Sequence, residues 1–224
     1  MRRLVAAFTL LALLGCGVGL ASAQARAAAA STPSTQTAKV TFRRVFHGSS
    51  PEYIELCIWD DAKTATYEIR QMEEDPGSSP FDVGEAVRTK IFGLTAQLHN
   101  FQGQDLDVHR KIANLGEKTF RWEQGGVSHE TKFNYTLNPS AAQLLQIFEG
   151  LARQQEHYEL ITRRMKYDRL GIYDALLQFE SDFNRGLLPE PQRLVPLLGQ
   201  IANDAKYVDV ARKRAQLLIG RIQR

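Results

Sequence analysis

Residues 118–151 read KTFRWEQGGVSHETKFNYTLNPSAAQLLQIFEGL, and this stretch decides the fold. Gly125-Gly126 is a two-residue reversal, because a primed turn needs φ > 0 and glycine adopts it without a steric penalty. The turn sets the register: Gln124 faces Val127, Trp122 faces His129, Phe120 faces Thr131 and Lys118 faces Phe133. Side chains alternate along a strand, so Phe120, Trp122, Val127, Phe133, Tyr135 and Leu137 are expected on one face. Thr119, Arg121, Glu123, Ser128, Glu130, Lys132 and Asn134 take the other, where Arg121 meets Glu130 in a cross-strand pair worth roughly 0.2–1 kcal/mol. Asn138 is a preferred N-cap and Pro139 suits the first helical position. Ala141, Leu144, Leu145, Phe148, Leu151 and Ala152 then recur at helical spacing. A sheet with one apolar face running into a helix with one apolar stripe predicts that the helix lies across the sheet.

Upstream, Val40–Phe46 reads as a strand with Val40, Phe42 and Phe46 on one face and Arg44 interrupting it. Tyr53–Met72 reads as a second hairpin with its loop at Asp60–Lys63. Its register pairs Ile58 with Ala65, Leu56 with Tyr67 and Ile54 with Ile69, and sets Glu55 opposite Glu68 with Arg70 diagonal to Glu55. Residues 73–80 (EEDPGSSP) form an exposed loop. Val83, Val87, Ile91, Leu94, Leu98 and Phe101 predict an amphipathic helix over 81–101, in which Gly84 and Gly93 each cost about 1 kcal/mol relative to alanine. A connector spans 102–116. Downstream, the helix begun at Pro139 is expected to reach about Leu170. A second follows with Ile172, Leu176, Glu180 and Phe183, and Gly186 marks its end. Pro191 opens a third with Leu194, Leu197, Leu198 and Ile201. The last carries Val208, Ala211, Ala215, Leu218 and Ile222, and the short connections imply antiparallel neighbours. The expected fold is α+β: a mainly antiparallel sheet of about five strands covered by helices 81–101 and 139–170, then a helical subdomain. The α+β domain takes 40–151 and the helical subdomain 152–224.

The chain has 224 residues, a formal charge of +3 and 43% hydrophobic residues, an ordinary globular composition. Met1-Arg2-Arg3, the apolar run Leu4–Leu14 and Ala21-Ser22-Ala23 have the layout of a secretory signal, so residues 1–23 are expected to be removed. That points to a periplasmic or secreted protein. Leu13-Leu14-Gly15-Cys16 also fits a bacterial lipobox, in which Cys16 would carry lipid and tie the protein to a membrane. Residues 24–39 (QARAAAASTPSTQTAK) lack apolar periodicity and read as a disordered linker. Loss of Arg2 and Arg3 leaves 26 basic residues against 25 acidic, a net of +1, which gives no general argument for nucleic-acid binding. Cys57 alone remains, so the mature chain has no internal disulfide, and a buried, inert thiol is expected.

Chemical motifs are sparse. His129-Glu130 begins an HExxH pattern, but Phe133 stands where the second histidine belongs, and His129 is expected to pack beside Trp122. Ser128 lacks the strand-to-helix turn of a hydrolase elbow. Asp105-Leu106-Asp107 followed by His109 is the one loop joining acids to a histidine. These three residues are the candidate catalytic set, and a metal or base role there needs a further partner. No phosphate or dinucleotide fingerprint occurs, so no cofactor is expected. In the last helix Lys213, Arg214, Arg221 and Arg224 form a candidate basic surface for anionic lipid or nucleic acid.

The order strand, hairpin, helix, aromatic hairpin, Pro-started helix, with IELCIWDDAKTATYEIRQ and FRWEQGGVSHETKFNYTLNPSAAQLLQIFEGL as its pieces, resembles the emfourin-like small α+β proteins. That family includes inhibitors of thermolysin-type metalloproteases. The resemblance is one of layout and covers Val40–Leu151; no inhibitory motif matches residue by residue, and the helices after Leu151 depart from it. The expected function is a non-catalytic secreted or envelope protein that binds a partner protein, in the manner of a protease inhibitor. The alternatives are a hydrolase using Asp105, Asp107 and His109, and a surface module acting through the basic last helix.

Overall fold

In the computed structural model, which describes residues 36–224, both hairpins form in the register their sequences set. Gly125 and Gly126 take φ of +63° and +80°. They join β5 (Glu117–Gln124) to β6 (Val127–Phe133), with Trp122 opposite His129 and Arg121 opposite Glu130. β2 (Tyr53–Trp59) and β3 (Thr64–Arg70) pair Leu56 with Tyr67 and Glu55 with Glu68. Arg70 relieves that acidic pair differently from expectation. Its Nε donates to Glu68 at 2.5 Å and its guanidinium lies 4.5 Å over the Tyr53 ring, while Glu55 accepts from the Tyr53 hydroxyl at 2.9 Å.

β1 (Lys39–Val45) is central, between β2 and β5, in an antiparallel sheet of order β4-β3-β2-β1-β5-β6. The sixth strand is β4 (Ser79–Asp82), which occupies the end of the expected loop and the start of the expected 81–101 helix. Phe81 pairs with Ala65 and stays extended, and helix α1 (Glu85–Gln97) starts only after Gly84. Pro80 suits a sheet edge because it has no N–H to leave unpaired. At the other end, His99, Asn100 and Phe101 take φ of +52°, +51° and +64°, so a left-handed turn rather than helix carries Phe101 into the core.

Helix α2 (Pro139–Tyr167) begins as expected: the Asn138 side chain accepts from the Ala141 N–H at 3.1 Å. It stops three residues short of Leu170, where Asp168 turns its carboxylate to the Gly171 N–H at 3.0 Å. Its first half covers the sheet. Phe148 stacks on Phe42 at 5.3 Å, and Phe120 lies within 6.0 Å of Phe42, Phe101, Phe133 and Phe148. Val127, Tyr135 and Leu137, expected on that apolar face, are exposed, because β6 ends at Phe133 and Val127 borders the turn. Lys118 does lie there, 5% exposed, its ammonium on the carbonyls of Leu115, Gly116 and Asn134.

The second half of α2 starts another core. Ile161 packs with α3 (Ile172–Asn184), α4 (Val195–Asn203) and α5 (Asp209–Ile222). The chain crosses α2 at Gly150, where a Cβ would stand 2.7 Å from the Leu187 carbonyl. Of the expected linker, Lys39 belongs to β1, and Ala38 is buried and exchanges hydrogen bonds with Asp60. Residues 24–35 of that linker, the signal segment and Cys16 lie outside the described residues. Among the described residues, no helix is long and apolar enough to cross a membrane.

Candidate functional site

The apolar stripe of α2 turns polar midway while staying against the sheet. One turn beyond Leu151 the buried positions are Gln154 and Gln155, and one turn further stand Tyr158 and Glu159. Polar side chains on a buried stripe need partners, because desolvation leaves an unpaired donor or acceptor at a cost of about 1–3 kcal/mol. Two adjoining depressions, each of about 560 Å³, open here between α2 and the β3–β4 edge. They share Tyr67, Ser79 and Glu159. The Tyr67 hydroxyl donates to Glu159 at 2.5 Å; burial, then the carboxylate, pushes the phenol pKa up.

Helical spacing sorts the rest. Gln154 and Tyr158, four apart, line the first depression with Phe81 and Arg193, while Glu156 and Leu160 line the second with Ile69 and Glu74. In the first, one buried residue orients two donors. The Glu190 N–H donates to Gln154 Oε1 at 3.1 Å, and Glu190 Oε2 accepts from Arg193 Nε at 2.9 Å. Gln154 is 1% exposed, and its Nε2, itself buried, has no hydrogen-bond partner. Arg193 Nη1 reaches only to 3.8 Å from Asp82, whose own partner is Lys63 at 2.8 Å. The Glu190 carboxylate also takes the Gly84 N–H on both oxygens, at 2.9 and 3.0 Å, so it fastens the start of α1 as well. In the second depression, burial raises the pKa of Glu156, outweighing the pull of Arg153 and Arg44. Glu156 makes no hydrogen bond or ion pair among the described residues.

The β4 edge bounding this groove is poorly suited to adding a strand. The Val83 N–H is spent on the Lys63 carbonyl, so by alternation residues 80 and 82 direct their nitrogens outward, and Pro80 has no hydrogen there. An occupant is therefore held by the side chains of α2 and the edge.

The structure does bring Asp105, Asp107 and His109 together, at the surface. His109 Nε2 lies 2.6 Å from Asp105 Oδ2, with the two side chains 69% and 66% exposed. That hydrogen bond raises the histidine pKa and lowers that of Asp105. Asp107 accepts the N–H groups of Asn134, Tyr135 and His109, which lower its pKa, and so fixes the chain leaving β6. Among the described residues no group of three or more His, Cys, Asp or Glu side chains could hold a metal ion.

The candidate basic surface is divided. Arg214 and Arg221 both bind Glu180 on α3, with Arg214 also on the Tyr173 hydroxyl and Arg221 over the Phe183 ring at 5.2 Å. Lys213 pairs with Asp209 at 2.7 Å, and Arg224 is exposed at the chain end. His129 stacks on Trp122 at 5.7 Å, as its position opposite that residue implies. Cys57 is half-buried on the sheet face away from α2, beside Thr41, and burial raises its thiol pKa. His157, to which the sequence gave no role, is buried on α2, its Nε2 2.9 Å from Asp182 of α3.

Comparison of the chain with protein-family models and with curated proteins found no match. The functional argument therefore rests on geometry.

Proposed function

We propose that the protein is an exported, non-catalytic module that receives a segment of a partner polypeptide in the groove between α2 and the β3–β4 edge. The carrying observation is Gln154, a buried amide at the wall of a cavity whose donor end has no partner. Ligand clefts combine apolar walls with a few fixed polar groups. Tyr158, Phe81 and Leu160 supply the walls here, and Gln154, Arg193 and Glu156 the polar groups. The export part of the proposal comes from residues 1–23, and Cys16 is the route by which the module would be held at a membrane.

The test is affinity capture from the envelope fraction with three forms of the full chain. Tyr158→Arg places bulk and charge at the groove mouth, on an exposed residue. His109→Gln alters the acidic loop. The proposal expects a partner retained by the unaltered chain and by His109→Gln and lost with Tyr158→Arg. Equal capture by Tyr158→Arg, or selective loss with His109→Gln, refutes it. Inhibitor-like action adds one expectation, that the unaltered chain slows a thermolysin-type protease and Tyr158→Arg does not.

A further inference from the structure

The two depressions differ in chemistry, and the difference describes an occupant. In the first, the unpartnered group is a donor, Gln154 Nε2; beside it Arg193 is bound through Nε to Glu190, with its Nη1 3.8 Å from Asp82. An anion is a poor match for this site. Glu190 balances Arg193, Lys63 balances Asp82, and Glu159 adds a further negative charge to the wall. A neutral acceptor fits, and the commonest neutral acceptor on a polypeptide is its main-chain carbonyl.

The second depression has the opposite need. Its guanidinium Arg70 is already committed to Glu68 at 2.5 Å and to the carbonyls of Gln71 and Met72. Glu74 accepts the Gln71 N–H at 2.8 Å and Glu159 the Tyr67 hydroxyl. Glu156 has no hydrogen bond or ion pair among the described residues; Arg153 and Arg44 act on it only at a distance and burial outweighs them, and the exposed Arg163 is the remaining cation on the rim. A half-buried carboxylate gains most from a cation that brings hydrogen-bond donors with it.

Resting on the groove reading above, we infer that the occupant is an extended polypeptide that sets a main-chain carbonyl on Gln154 and lays a lysine or arginine side chain against Glu156. Gln154 and Glu156, two apart on α2, project from different flanks of the helix, so the occupant runs across the shared wall of Tyr67, Ser79 and Glu159 with different residues in the two depressions.

The probe is an array of decapeptides with one central position fixed as Lys, Arg, Gln or Glu and the others randomised, read with the labelled full chain. Lys- and Arg-centred peptides should retain the chain about tenfold more than Gln-centred ones, and Glu-centred peptides least. Glu156→Gln should abolish that preference while binding to Gln-centred peptides persists. Its folding at pH 7 should be no weaker, since it removes a buried charge. Gln154→Leu should weaken all peptides alike, by roughly tenfold. Peptides that bind, are lost with Tyr158→Arg, and show no basic preference would overturn this inference and leave the groove reading standing. Absence of peptide binding, or binding indifferent to Tyr158→Arg, would overturn both.

Discussion

Replacing Gly84 by alanine tests the junction on which both cores depend. Its φ of −68° and ψ of 152° suit any residue, so backbone strain plays no part. The obstacle is contact: an added Cβ would stand 2.0 Å from Glu190 Oε1 and 3.2 Å from its Cδ. The carboxylate must swing away, and the Gly84 N–H loses an ionised acceptor, worth about 1.5–3 kcal/mol. Glu190, 4% exposed, keeps Arg193 but remains in a site built for two partners. Against this, alanine restricts the unfolded chain and returns about 0.4–1 kcal/mol. The balance is a loss of about 2 kcal/mol, or roughly 4–8 °C in Tm for a unit of this size. Gly93 is the matched control: it lies mid-α1, exposed, with nothing within 4 Å of a Cβ. Gly93→Ala should therefore gain about 1 kcal/mol. Urea unfolding followed by tryptophan fluorescence measures both. If Gly84→Ala is as stable as the parent while Gly93→Ala gains, the Glu190 contact contributes nothing to the fold and the reasoning is wrong.

Gly150→Ala should lower the urea midpoint by the equivalent of about 1–2 kcal/mol, because overpacking against Leu187 and Pro189 outweighs the gain in helix propensity. His157 is held neutral, its pKa lowered by burial even though Asp182 pulls it up. The unfolded chain therefore takes the proton first, stability falls as pH drops below about 6.5, and His157→Gln should flatten that slope in a Tm series. Glu156 works in the opposite sense: its raised pKa means stability is lost as pH rises above the ordinary glutamate value near 4.3, and Glu156→Gln should remove that loss in the same series. Glu180→Gln should loosen α5 by about 1 kcal/mol, seen as faster amide exchange over 209–222, and should strengthen retention on anionic vesicles by freeing Arg214 and Arg221.

What the sequence revealed and concealed follows from the range of the forces involved. The hairpins were legible because a turn and alternation fix register locally, and Gly125-Gly126 and the paired Arg121 and Glu130 agreed. The N-cap at Asn138 is equally local. β4 was concealed because the Val83-to-Phe101 spacing is helical, yet Val83 is buried from an extended segment and Phe101 from a left-handed turn. A spacing rule sees only that both are buried. The loop of Asp105, Asp107 and His109 was visible as a cluster, but its hydrogen bonds to Asn134 and Tyr135 depend on the β6 end lying alongside. Arg214 and Arg221 look like free cations until Glu180, on another helix, is placed between them. The groove left one sequence signal that went unused: Gln154 and Gln155 fall where the stripe of Leu151 and Ala152 calls for apolar residues.

That signal has a structural counterpart in Glu190. Its carboxylate holds the start of α1 through Gly84, and its own N–H holds Gln154 on α2. It also sits in the connection to α4, beyond the crossing at Gly150, so these contacts form only when that connection lies against α2. The donors at the groove wall are thus correctly aimed only in the assembled unit. In the proposed groove a partner that engages them would bind the docked arrangement alone, and would add its binding free energy to the docking of the C-terminal helices against the sheet domain. In the proposed groove one residue would thus couple stability to recognition: the Glu190 N–H holds Gln154, and its carboxylate holds Arg193 and the start of α1.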